Sequence, residues 1–492
     1  MLLLIPILLP ILVGCSLPLL RIKNRSAKLL LIFLTLAVSA GATLAAASQE
    51  TLSLTVLSIN EPLTLAFRLD SIGKIFSIFN ALLWLLIGVY AFRYMIHEKN
   101  EDRFFCFLLL ALGCTMALDF SANLFTMYLA FELITLTTFP LVLHNQQPEA
   151  IRASLKYLFY SVAGAFLALF GLFIVASYST GTTFALGGVL SPEALTTHKG
   201  LLLTAAFCCL VGFGAKCGLY PLHGWLPTAH PVAPAPASAL LSALVVKAGV
   251  FCCIRSVYYL IGADFLQGTW VQTTWIILAL LTVFMGSMMA YREKRLKKRL
   301  AYSTVSQVSY ILLGLACLTA DGATGGLLHS VFHALVKSGL FMIAVAIIFE
   351  TGATQVSELK GIGKRMPLTI ACWTILSLAL IGIPPTGGFV SKWFLGTGAF
   401  AANLGWLSYA IPVVLLISAL LTAGYLLPIS LNGFLGSAAG AHEATDASTA
   451  APASKCEPTW HMLLPILLVT LAALLGGIFT EPLIAALSSV LL

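Results

Sequence analysis

The sequence predicts an all-α polytopic membrane protein of about 14 transmembrane helices, and three observations carry that reading. The 492-residue chain is 59% hydrophobic and 9% charged, whereas soluble domains carry about a quarter charged residues. Its mean hydropathy is +0.98. Apolar runs of roughly 20 residues, the length that crosses a bilayer, recur along almost the whole chain.

The first run, MLLLIPILLPILVGCSLPLL, has no basic leader and no small-residue cleavage site. It reads as a first transmembrane helix, not a signal peptide. Further spans are expected near 28–47, 74–96, 104–118, 121–143, 154–178, 200–222, 232–261, 270–291, 302–319, 322–349, 367–395, 405–430 and 462–490. Basic residues check the count, because they concentrate in the loops on one side of a membrane. Nineteen of the 27 lysines and arginines fall on alternate loops, whereas the opposite loops hold three: Arg68, Lys74 and Lys199. This bias predicts an even helix count with both termini on the outer face. It also accounts for the net charge of +8 without a nucleic-acid partner. The stretch 436–460 is rich in Ala, Ser, Thr and Pro and reads as an aperiodic cytoplasmic loop.

None of the 11 cysteines shows C-x-x-C spacing, and most sit inside apolar runs. They read as small buried hydrophobes, so no iron–sulfur or haem attachment is expected. No Gly-rich phosphate loop follows a strand, and no cofactor is expected in this chain.

Two spans are interrupted. GAKCGLYPLHGWLPTAHPVAPAPAS (214–238) and GIPPTGGFVSKWFLG (382–396) each combine Gly and Pro with a lysine. Unsatisfied backbone is tolerated at membrane depth only under cover of protein or water. Five spans separate the two breaks, and the topology gives them opposite directions. They predict two inverted five-helix repeats, 104–261 and 262–430. An N-terminal unit (1–103) precedes these, and a polar loop (431–461) and a last helix (462–492) follow.

Ionisable groups within spans are expensive and are functional candidates. Glu132 lies near mid-span, either in a structural ion pair or on a transport path. Lys216 directly precedes the first break, and Lys247 lies too deep in its span to reach the surface. His329, His333 and Lys337, in HSVFHALVKSG, recur every four residues. They share one helical face and climb about 12 Å. Imidazole titrates near neutrality, so this face suits a stepwise proton relay. A metal site and plain interhelical hydrogen bonding are its rivals. Lys392 follows the second break, where snorkelling to the outer face is the alternative. His223 and His230 flank GWLPTA as candidate proton-uptake groups or ordinary interfacial histidines. The basic run at 291–307 reads as membrane anchoring with anionic-lipid contact.

These stretches resemble the antiporter-like subunit family shared by respiratory complex I, Mrp-type sodium/proton antiporters and membrane-bound hydrogenase complexes. The matching segments are FELITLTTFPLV, GAKCGLYPLHGWLPTAHPVAPAPASALLSALVVKAG, KKRLAYSTVSQVSYILLGL, HSVFHALVKSGLFM and GIPPTGGFVSKWFL. The resemblance implies 14 helices with two inverted repeats. It also implies a Glu132–Lys216 pair coupled to Lys247, then to the His329, His333 and Lys337 face, and last to Lys392. Two departures stand out: Arg295 occupies the place of a family Asp, and no long lateral helix follows the last span.

The resulting expectation is a proton-translocating subunit whose energy comes from partners: other membrane subunits or a peripheral oxidoreductase module. Sodium is the alternative ion. The rival classes are a free-standing secondary transporter and a non-conducting scaffold subunit. The expected location is a bacterial or archaeal cell membrane.

Overall fold

Lipid offers no partner to backbone N–H and C=O groups, so apolar runs become helices that satisfy those groups internally. The computed structural model describes residues 1–60, 62–436, 456–488 and 490. Helices α1 (Ile5–Leu20), α2 (Arg25–Ala47) and α3 (Ser71–Tyr94) come first. Next are α4 (Glu101–Asp119), α5 (Leu124–Val142), α6 (Pro148–Ser177), α7 (Lys199–Cys217) and the short α8 (Leu226–Val232). Helix α9 covers Ala235–Ile261, followed by α10 (Trp270–Arg292), α11 (Leu296–Ala316) and α12 (Ala320–Thr351). Helices α13 (Pro367–Ile381), α14 (Gly387–Ala401), α15 (Trp406–Leu435) and α16 (Trp460–Ile478) follow, and short helical turns at Pro192–Thr197, Ala263–Leu266, Ile362–Arg365 and Glu481–Ser488 lie between or after them.

Among the described residues, eleven helices are long and apolar enough to cross a membrane by themselves. Helices α4 and α11 are of similar length but carry charges at their ends, and α13 with α14 makes one further, broken crossing. The expected spans are thereby all helical among the described residues, and the chain is a multi-pass membrane protein. Most of the polar loop proposed at 431–461 falls on residues 437–455, outside the described residues.

One element departs from an all-α chain. Strands β1 (Leu52–Ser58) and β2 (Thr64–Leu69) pair antiparallel between α2 and α3. Leu52 and Leu54 are half-buried while Ser53 and Thr55 are exposed, the period of two that a strand imposes. The hairpin is tied to the ends of α4 and α5, for Arg68 N donates to Phe120 O at 2.6 Å and Ala66 N to Thr126 Oγ1 at 3.0 Å.

The loops sort into two faces. On one, Arg25 Nη2 donates to Phe92 O at 2.7 Å, Val356 N to Lys294 O at 3.0 Å and Cys456 N to Arg365 O at 2.9 Å. These ties gather the basic loops on a single face, as the sequence bias requires. On the other, Arg68 Nη2 donates to Phe184 O at 2.7 Å and Gly187 N to Tyr258 O at 3.0 Å.

In the first half, α4 packs on α5, α5 on α6, α6 on α7 and α7 on α9. The second half runs in the same order, with α10 on α11, α11 on α12, and α12 on both α13 and α14. Small residues permit the α6–α7 crossing. A Cβ added to Gly164 would lie 2.6 Å from Gly212 O, and one on Gly212 2.5 Å from Ala168 N.

On the face opposite the basic loops, Arg255 of α9 is fully buried and binds Asp70 in bidentate fashion, at 2.6 and 2.8 Å. Its guanidinium also sits 4.7 to 4.9 Å from the ring centres of Phe184, Phe251 and Tyr259. Burial alone would raise the Asp70 carboxyl, but the Arg255 charge and hydrogen bonds outweigh it and hold it below the ordinary carboxylate range. The stabilisation is therefore complete at neutral pH and is lost as pH falls through that lowered value. Asp70→Asn leaves a buried guanidinium uncompensated and should cost about 3–5 kcal/mol. Thermal unfolding of the purified protein checks this; a variant as stable as wild type would contradict it.

Candidate functional site

Buried ammonium groups need donor-matched acceptors, and the interior supplies them at each lysine. Lys247 stands on α9 just after a π-helical stretch, Leu241–Val245, which widens the helix around the Ser242 carbonyl. Its Nζ donates to Ser242 O at 3.3 Å and lies 2.5 Å from His333 Nδ1 across the α9–α12 interface. Ser242 Oγ in turn pairs with Thr304 Oγ1 of α11 at 2.6 Å. His333 Nε2 is buried with no partner among the described residues.

One turn along α12, His329 is held at both nitrogens. Nδ1 meets Ser391 Oγ at 3.0 Å, and Nε2 meets Gln307 Oε1 at 3.1 Å. The His329 and His333 ring centres are 6.1 Å apart. His329 also stacks on Tyr310 at 5.3 Å, and Lys392 Nζ sits 5.3 Å from the other partner of that stack, the Tyr310 ring centre. Ser391 and Tyr310 thus connect the α12 histidines to Lys392.

Lys392 does not snorkel. Its Nζ donates to Leu380 O at 2.8 Å and Ile381 O at 2.6 Å, the last carbonyls of α13. A cation there meets the orphan acceptors and the negative end of the helix dipole together.

In the other direction along α12, Lys337 Nζ donates to Ser303 Oγ at 2.6 Å and Leu300 O at 3.1 Å. Tyr425 OH donates to the same Ser303 Oγ at 2.6 Å. His230, on α8, is fully buried and stacks on Phe341 at 5.1 Å, one turn beyond Lys337. Both its ring nitrogens lack partners among the described residues. His223 lies apart, in the loop between α7 and α8, stacked on Tyr220 at 5.8 Å.

Glu132 and Lys216 are not in contact. Glu132 Oε1 accepts from Tyr128 OH at 3.0 Å on a half-buried face of α5. Lys216 Nζ donates to Thr135 Oγ1 at 2.6 Å and Tyr157 OH at 3.1 Å, with Phe131 and Tyr157 rings at 5.3 and 5.2 Å. Thr135 is one turn from Glu132, so a hydroxyl stands where an ion pair was expected. No hydrogen bond joins Lys216 to Lys247 among the described residues; instead Cys217 Sγ donates to Val246 O at 3.6 Å and holds the two helices side by side.

Sequence reasoning missed the uncharged members: Tyr128, Thr135, Tyr157, Ser242, Ser303, Thr304, Gln307, Tyr310, Ser391 and Tyr425. The signal available was STVSQVSY in α11, where Ser303, Gln307 and Tyr310 recur at three- and four-residue spacing within an apolar helix. The basic run at 291–307 is also more than an anchor. Lys297 Nζ donates to Pro231 O and Ala233 O at 3.2 and 2.8 Å, closing the end of α8, and Arg299 Nη1 donates to Tyr425 O at 2.9 Å. Among the described residues, no three His, Cys, Asp or Glu side chains gather as metal ligands.

Ser303 serves two donors, so its loss should matter more than that of either neighbouring hydroxyl. Ser303→Ala removes a hydrogen bond to a buried charge and should cost about 1.5–3 kcal/mol, whereas Tyr425→Phe, which keeps the Lys337 bond, should cost about 0.5–1.5 kcal/mol. Thermal unfolding of the two variants checks the order.

A family model described as NADH:quinone oxidoreductase/Mrp antiporter, TM, matches residues 121–422. The NADH-quinone oxidoreductase subunit N of Desulforudis audaxviator (strain MP104C) is 34% identical over 390 residues, 79% of this chain and 76% of that protein. A Na(+)/H(+) antiporter subunit of Bacillus subtilis (strain 168) is 28% identical over 445 residues, 88% of this chain and 86% of that one. In fold, a chain of the Mrp complex from Dietzia sp. DQ12-45-1b superposes with a TM-score of 0.86 at 21% identity, covering 99% of this chain and 96% of its own.

Proposed function

This chain belongs to the NADH:quinone oxidoreductase/Mrp antiporter family, and on that premise we propose that it is a proton-translocating subunit of a larger membrane complex. The observation that carries the reading is the 2.5 Å contact between Lys247 and His333, two proton-exchanging groups buried where helices α9 and α12 meet. On this reading a proton enters from the basic face past His230, passes Lys337 and loads the Lys247–His333 pair. It leaves through His329, with Ser391 and Tyr310 bridging to Lys392 and the opposite face. The His230 and His333 nitrogens without partners among the described residues favour this route, since a water placed there could exchange protons with them.

Glu132 and Lys216 act as the control element. In the arrangement described, Lys216 rests on Thr135 and Tyr157, away from Glu132. Making or breaking a buried pair changes the energy by about 3–5 kcal/mol. That is enough to alter the proton occupancy of a neighbouring lysine by about a hundredfold or more. The driving energy comes from partner subunits, in keeping with relatives whose names make them parts of multisubunit oxidoreductases and antiporters. The chain needs no cofactor of its own for this task. The cell membrane of a bacterium or archaeon is the proposed location, with the basic face inward and both termini outward.

The relatives named as Na(+)/H(+) antiporter subunits support sodium as a second ion. Proton and sodium uptake into proteoliposomes holding the assembled complex separates the two. In the same vesicles Lys247→Ala should reduce proton translocation to background while Lys247→Arg retains part of it. Undiminished translocation by Lys247→Ala would overturn the proposal.

A further inference from the structure

A cavity of about 450 Å³ lies on the basic face where the ends of α2, α3 and α16 converge, and none of the buried-axis residues lines it. Its lining combines the basic groups Arg25, Arg93 and His461 with Leu29, Leu30 and Phe33, which follow Arg25 into the membrane-spanning part of α2. Leu30 and Phe33 are 57% and 39% exposed and lie one to two turns deeper along α2 than Arg25.

The basic groups are unevenly satisfied. Arg25 uses Nε and Nη2 on Glu101 Oε1, at 3.1 and 2.6 Å, and on Phe92 O. Arg93 is different. Among the described residues its buried Nε has no partner, and its guanidinium meets only the Phe349 ring, at 5.9 Å. Its terminal nitrogens are not buried and are bonded by no described residue, which leaves them open to an acceptor from outside the chain. Thr459, the residue before α16, lines the same cavity, and no described side chain caps that helix start. Met462 N donates to Thr459 O at 2.9 Å, which leaves the N–H groups of Trp460 and His461 without an acceptor among the described residues. Arg21 and Lys23, exposed on the loop into α2, raise the local positive charge further.

We infer that this cavity is a binding site for an anionic phospholipid, with the phosphate between Arg93 and the start of α16 and an acyl chain along Leu30 and Phe33. Charge complementarity selects an anion, and the apolar wall selects one carrying a hydrocarbon chain. A bare phosphate would leave that wall uncovered, and an acidic protein segment would not match its exposure to lipid. The site is separate from the proton route, so either proposal can fail without the other.

The test is native mass spectrometry of the detergent-purified full-length chain, titrated with phosphatidylglycerol or with phosphatidylcholine. Each basic group near a membrane surface contributes about a fivefold preference for an anionic lipid. Wild type should therefore retain phosphatidylglycerol at about one fifth of the concentration that Arg93→Gln requires, and Arg93→Lys should retain it within about twofold of wild type. Phosphatidylcholine should bind all three weakly and equally, and an unchanged thermal unfolding midpoint should show that the variants are folded. Inorganic phosphate should not displace the lipid. Equal retention of the two lipids by wild type, an unchanged preference in Arg93→Gln, or displacement by inorganic phosphate would each overturn the assignment.

Discussion

A charged ammonium cannot stand alone at membrane depth, and the interior of this protein is arranged around that constraint. Lys247 lies where it does because α9 widens into a π-helical stretch just before it and because His333 of α12 meets its Nζ. The α9–α12 contact joins the helices around Lys216 to those around His329. On one side, α5, α6 and α7 surround Lys216 with hydroxyls and aromatic faces. On the other, α11, α12 and α14 hold His329 between Gln307 and Ser391.

The broken helices answer the same constraint from the opposite direction. A break frees carbonyls that lipid cannot satisfy, and a lysine has protons that need acceptors. Lys392 meets the carbonyls at the end of α13, and Lys297 those at the end of α8. In each case one group's deficit is the other's partner. For the second Gly- and Pro-rich stretch, the pairing explains the lysine it contains, Lys392; Lys216 of the first stretch is held by hydroxyls instead. The pairing also places positive charge at the two ends of the proposed route.

The fold was largely legible in the sequence, because hydropathy and alternating basic loops report directly on which segments meet lipid and which meet water. The β1–β2 hairpin was not, since strands of seven and six residues vanish in an averaging window wide enough to find a span. Of the candidate site, the charged and imidazole residues were legible because such groups are rare in apolar helices. Their partners were not. Ser303, Ser391, Gln307 and Tyr310 look like ordinary residues of a helix until the packing shows which lysine or histidine each one faces. The spacing of Glu132 and Lys216 was also out of reach, because whether a pair is closed or open depends on a hydroxyl, Thr135, that no motif singles out.

If the Lys247–His333 contact joins the two halves of the proposed route into one, removing the imidazole must cut that route at its middle. Proton translocation by the assembled complex in proteoliposomes, measured alongside the turnover of the reaction that drives it, tests this directly with His333→Phe. Translocation through this subunit should be lost while the protein still assembles and the driving reaction still runs. A wild-type ratio of protons to turnovers in His333→Phe would refute the continuous route.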